Sequence, residues 1–136
     1  MAFAIKAEIR DPRPELFSFV AQKTMYGGKQ IAVGDIIFLF ASENEGGQGL
    51  VARGLVTSSA AIPRRPDLER QTPRVSVAIK RTTLATRPLG RAELKHFRDW
   101  NDGRPETELN FKFYRQANNK IVGISYQAAT FLEGFF

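Results

Sequence analysis

The chain contains no cysteine, so it can build neither a disulfide framework nor a thiolate metal site, and it offers no thiol nucleophile. Its single histidine, His96, excludes the usual histidine-rich zinc sites. No apolar run approaches the roughly 18 residues that span a bilayer, and residues 1–10 lack the pattern of a secretory signal. The expectation is a soluble, cytoplasmic chain with no membrane contact, no metal and no cofactor. A phosphate-binding loop is missing too. Gly46-Gly47-Gln48-Gly49 lies between two strand-like runs and lacks the Lys-Ser/Thr pair that such a loop carries. A Ser-His-Asp triad would have to use His96, which falls on the outer side of an expected helix, so no catalytic residue is assigned.

What is present is enough for one domain over residues 1–136, with a core that needs no staples. The net charge is +6, and its placement is uneven. Residues 1–63 and 92–136 each balance six basic residues against six acidic ones, while residues 64–91 hold eight against two. The whole excess therefore sits in one segment. Localised charge of one sign is the footprint of a polyanion such as a nucleic-acid backbone. Arg64, Arg65, Arg70, Arg74, Lys80 and Arg81 are the candidate phosphate contacts. The same residues would also serve simply to guard a sheet edge against aggregation.

The spine of the chain is residues 31–58. After the turn Val33-Gly34-Asp35 come six consecutive apolar residues, Ile36 to Ala41, rich in β-branched and aromatic types. So short a run between glycines predicts a strand buried on both faces. Residues 42–49 predict a loop, and residues 50–58 the partner strand, with Gly54 marking a bulge or a close backbone approach. Upstream, Phe3/Ile5/Ala7/Ile9 alternate with Ala4/Lys6/Glu8, the pattern of a half-buried strand. A helix is expected over 14–23, then a loop hinged at Gly27-Gly28. Downstream, residues 60–73 read as an exposed connection, 74–85 as a strand and 90–100 as an amphipathic helix. Residues 109–113 alternate like a strand, although 107–115 also fits a helix. A turn at 117–119 leads into a strand at 120–124, and Ser125 caps a last helix over 126–133. The sum is an α+β domain: five or six strands, mostly antiparallel, curled into a small barrel with three short helices.

If the sheet closes, the ends of the first strands and the Tyr26 loop line one mouth. Phe3, Lys6, Tyr26, Phe40 and Ser42 then become candidates for stacking on a base and hydrogen-bonding its edge. In strands, Phe3 and Phe40 are more often core packing than ligand stacking; Lys6 with Glu8 reads also as a surface ion pair, and Trp100, Phe111, Phe113 and Tyr114 as core or core-edge residues.

The order of these motifs resembles the EVE domains of the PUA-like superfamily. The first strand of that family reads roughly Tyr-Trp-x-x-Lys-x-Glu-Pro, and here Ala2-Phe3-Ala4-Ile5-Lys6-Ala7-Glu8-Ile9 stands in its place. Gly34-Asp35, Phe40 and Ser42 follow the family's Gly-Asp-x-x-x-x-Tyr-x-Ser, and residues 49–56 approximate its Ile-Val-Gly-x-x-x-Val strand. The family's Trp is Phe3 and its Tyr is Phe40. Its Trp-x-Gly-Val-Arg-Asn-Tyr box is replaced by residues 22–29. The resemblance implies a PUA-like pseudo-barrel whose pocket accepts a flipped nucleobase, including a modified one, from DNA or RNA. The related ASCH group, some members of which hydrolyse an acylated base, is similar in carrying a Lys and a Glu near the pocket. That leaves a hydrolase using Lys6 and Glu8 as the alternative. A third reading is a small domain whose basic segment docks a protein.

Overall fold

The computed structural model describes residues 2–115 and 120–136, so the turn expected at 117–119 lies outside the described residues. Six strands close a barrel: β1 (Ala2–Ala7), β2 (Leu16–Met25), β3 (Ile36–Ala41), β4 (Gly49–Ala61), β5 (Arg74–Leu84) and β6 (Ile121–Ile124). Around the barrel they run β1-β3-β4-β5-β2-β6. β3–β4, β4–β5, β2–β5 and β1–β6 pair antiparallel, whereas β1–β3 and β2–β6 pair parallel. The barrel is thus mostly antiparallel, and its two parallel seams flank the short strands β1 and β6.

Three helices complete the fold: α1 (Arg91–Leu94), α2 (Pro105–Leu109), which continues as a π turn over Asn110–Tyr114, and α3 (Tyr126–Glu133). They lie against one side of the barrel and create a second core outside it. The inner core takes Phe3, Ile5, Ile37, Leu39, Val77, Ile79 and Ile121. The outer one takes Ala4, Phe38, Phe40, Leu94, Leu109, Phe113, Val122 and Leu132. β1 and β3 contribute alternate residues to both, so the six-residue apolar run of β3 is buried on both faces, as its composition predicts. β1 departs from its half-buried pattern for the same reason. Ala4 and Lys6 are covered by the helical layer, Lys6 to 3% exposure.

The helix expected over 14–23 is instead β2. Leu16 and Val20 are 70% and 73% exposed, whereas Phe17 and Phe19 turn toward the inner core. The register against β5 then slips between Phe19 and Gln22, where Ala21 adopts a left-handed φ of 52°. The Ser76 hydroxyl accepts from the Ala21 amide at 2.9 Å and the Arg74 guanidinium donates to the Ala21 carbonyl at 2.9 Å, which pins this bulge. The amphipathic helix expected over 90–100 is cut to the single turn of α1. Residues 109–113, which alternate like a strand, are helical, the other of the two readings. α3 begins as expected, with the Ser125 hydroxyl accepting from the Ala128 amide at 3.0 Å.

Candidate functional site

The Tyr26 turn is set by backbone geometry. Tyr26 (φ 54°) and Gly27 (φ 81°) are both left-handed, as in the turns that reverse a chain most tightly. Gly supplies such a φ without strain, but for a bulky aromatic it is an outlier. The turn is held by what lies behind it. A Cβ on Gly123 of β6 would come within 2.3 Å of the Tyr26 carbonyl oxygen, so only glycine permits this approach. The Tyr26 side chain is left 39% exposed, with the Lys112 ammonium 4.8 Å from its ring centroid.

Lys112 is fixed in turn. It donates to the Gly123 carbonyl at 2.7 Å and to Glu108 Oε2 at 3.1 Å. Glu108 also accepts from the Ser125 amide at 2.8 Å and from the Ser125 hydroxyl at 2.5 Å. Burial alone would raise the Glu108 carboxyl. The Ser125 hydroxyl and amide, with Lys112, outweigh it and hold the group below its ordinary value. Lys112 also lines a cleft of about 150 Å³, together with Trp100, Gly103, Arg104, Thr107 and Glu108. Trp100, which the pattern assigns to core or core edge, is 62% exposed. The segment 95–104 leaves helical geometry early, because Asp99 and Asp102 accept from the Asn101 and Arg104 amides and the Asn110 side chain donates to the Phe97 carbonyl. His96 is exposed in that segment.

The other candidates for a base pocket are spread over two faces of the sheet. Phe3 is fully buried in the inner core, paired with Ile37 near the start of β3. Phe40 is fully buried in the outer core, its ring 4.9 Å from that of Phe113. Because β1 and β3 are parallel, Phe3 and Ser42 stand at opposite ends of the strand pair rather than at one mouth. Lys6, Phe40 and Ser42 share a neighbourhood beneath Phe113 and Tyr114. Lys6 donates to the Phe113 carbonyl at 2.7 Å and its ammonium lies 4.7 Å from the Tyr114 ring centroid. The Tyr114 hydroxyl donates to Glu43 Oε1 at 3.1 Å, and Glu43 Oε2 accepts from the Arg91 amide at 2.7 Å. Burial lowers the Lys6 amine; Glu43 partly restores it and Arg91 adds to the lowering. Burial pushes the Tyr114 hydroxyl far up, with Glu43 adding to it. The Ser42 hydroxyl is buried without a hydrogen-bond partner among the described residues. Glu8 does not join this cluster: it is exposed and pairs with Arg10 at 2.7 Å.

The basic segment runs from the connection after β4 through β5 to the helical layer, where Arg87 donates to the Gly134 carbonyl at 2.7 Å and Arg91 opens α1. Several of its cations are engaged in holding the chain. Arg74 caps the bulge at Ala21, Arg81 donates to the Pro14 and Arg13 carbonyls at 3.1 Å each, and Lys80 lies 3.7 Å from Glu15. In the exposed connection, Arg64 donates to the Glu69 carbonyl and Arg65 to Asp67. Arg70 is exposed there, with no ion pair or hydrogen bond from its guanidinium to a described residue.

A closed mixed barrel of six strands with short helices on one side is a PUA-like pseudo-barrel, the fold of the EVE (DUF55) domains. Among solved structures, the DUF55 domain of human thymocyte nuclear protein 1 matches with a TM-score of 0.65 and 13% identity, over 98% of this chain and 97% of that one. Human THYN1 protein in complex with DNA containing 5-methylcytosine matches at 0.66 and 13% identity, over 98% and 95% of the two chains. A protein from Pseudomonas putida matches at 0.66 and 13% identity over 99% of both. No protein-family model matches the chain, and no curated protein matches it by sequence. Among the described residues no helix is long and apolar enough to cross a membrane, and no group of three or more acidic or histidine side chains is arranged to hold a metal.

Proposed function

We propose that this domain binds nucleic acid, DNA in the first instance, and stacks a flipped base, plain or modified, on Tyr26. The observation that carries the reading is the left-handed Tyr26: a bulky aromatic kept in a strained turn, two-fifths exposed beside a fixed ammonium. Strain of this kind, over-determined by the surrounding packing, is a mark of functional positions. The ligand class is supported by the shared fold with a human domain solved on 5-methylcytosine DNA. In this reading Phe3 and Phe40 support the pocket from within the two cores. Lys6 and Ser42, buried at the far end of β1 and β3 from Tyr26, back the helical layer rather than the stacked base, and the basic segment tracks the phosphates through Arg64, Arg65 and Arg70.

Two measurements test it. Tyr26→Ala should weaken binding to oligonucleotides carrying a 5-methylcytosine by about 1–3 kcal/mol, the worth of one stacked base, with the melting temperature unchanged. Equal affinity of variant and wild type for every oligonucleotide would remove Tyr26 from the site. Replacing Arg64, Arg65 and Arg70 with Gln should weaken binding to all sequences alike. It should also flatten the log–log salt dependence by roughly 0.7–0.9 for each phosphate that is no longer neutralised. An unchanged slope would take this segment out of the interface.

A further inference from the structure

We infer that the cleft at Trp100 is a second nucleotide subsite, holding an unpaired base next to the one stacked on Tyr26. The inference rests on the proposed binding at Tyr26 and narrows its ligand to nucleic acid with at least two adjacent unpaired nucleotides. Trp100 is the sole tryptophan, and more than half of its surface faces solvent. Its ring is not loose: Phe111 packs against it with centroids 4.7 Å apart and planes at 70°. The Arg115 guanidinium lies 5.3 Å from the Phe111 ring centroid, so the platform is backed by a cation. A braced, exposed indole beside a cleft is the arrangement on which unpaired bases stack, whatever their sequence.

The occupant follows from what surrounds the cleft. Lys112 lines it and also lies 4.8 Å from the Tyr26 ring centroid, so the two aromatic sites flank one ammonium. Consecutive nucleotides put one phosphate between two bases, and Lys112, whose donors are taken by Gly123 and Glu108, contributes only its charge there. Arg104 also lines the cleft, its charge near Asp102 and its guanidinium making no hydrogen bond to a described residue. The nearby carboxylates are taken up internally. Glu108 accepts from Ser125 and Lys112, and Asp102 accepts from the Arg104 amide and the Thr107 hydroxyl. Acidic and basic residues nearly balance around this cleft, so stacking rather than net charge supplies the affinity.

The test uses the full chain and two DNA duplexes, each with one 5-methylcytosine. In one its neighbour is paired, and in the other the neighbour is left unpaired by a gap in the opposite strand. The wild type should bind the gapped duplex about 5- to 150-fold more tightly, the equivalent of one stacked base, with the Trp100 fluorescence quenched on binding. Trp100→Ala should abolish that preference while leaving affinity for the paired duplex and the salt slope unchanged. Trp100→Phe should retain part of it. If Trp100→Ala keeps the full preference, or the fluorescence stays constant through saturation, the subsite is overturned. The Tyr26 reading then still stands as long as Tyr26→Ala weakens both duplexes. If the wild type binds neither duplex, the Tyr26 reading fails and the subsite fails with it.

Discussion

Truncating Phe40 to alanine should lower the stability of the domain by about 3–5 kcal/mol, the range for emptying a large buried aromatic site. The ring is fully buried on the outer face of β3 and tilts against Phe113 at 4.9 Å. It therefore joins the barrel to the helical layer, and its loss opens a cavity that two rigid elements border. Domains of this kind have a total stability of about 5–15 kcal/mol, so the variant should be at the edge of folding at 37 °C. Calorimetry or chemical denaturation measures it directly. Tyr26→Ala serves as the contrast, because a turn side chain two-fifths in solvent contributes little to either core. A Phe40→Ala melting temperature indistinguishable from that of Tyr26→Ala would mean that the helical layer does not pack on β3 through this ring.

Those elements whose signals are local were legible in the sequence. β3 announces itself by six apolar residues between turn glycines, and α3 by a serine cap followed by Ala128 and Leu132 one turn apart. β2 was hidden by its own bulge. The inward side chains fall at Phe17 and Phe19, then shift phase to Gln22 and Thr24 once one extra residue is absorbed at the bulge. With Leu16 and Val20 facing solvent, no single strand period survives, and 14–23 mimics a helical face. The parallel pairing of β1 and β3 was equally out of reach, because register between distant strands is decided by packing across the whole barrel. That pairing separates Phe3 from Ser42 and moves the candidate site to the helical side. There Tyr26 was readable from the Gly27-Gly28 hinge beside it. Trp100 was not, because Asp99 and Asp102, whose turns end the helix early, read equally as the polar face and terminator of a full helix over 90–100.

Lys6 carries the last large effect, and its sign depends on which variant is made. Lys6→Ala empties a long side chain from a position 3% exposed and removes the donor to the Phe113 carbonyl. It should cost about 2–5 kcal/mol, as for other long buried side chains. Lys6→Met keeps the stem and deletes the ammonium, charge and donor together, so it should recover the packing part of that loss. The two variants also separate packing from ionisation. Because burial lowers the Lys6 amine in the fold, the unfolded chain, with an amine near 10.4, binds more protons between the two values. Stability must then rise with pH through that window, the burden of the buried charge being fully present below it. Tyr114 acts with the opposite sign. Its hydroxyl is pushed up in the fold, so its contribution falls only above about pH 10, where a free tyrosine ionises. Denaturation curves taken up to about pH 10, just below the ordinary lysine value, therefore read the lysine before the tyrosine contributes. Subtracting the Lys6→Met curve cancels the other lysines, including Lys120, whose amine burial also lowers. The wild type should gain stability relative to Lys6→Met as the pH rises across this range. A flat difference would mean that the Lys6 amine is as well solvated in the fold as in the unfolded chain, and that its bond to the Phe113 carbonyl is not maintained in solution.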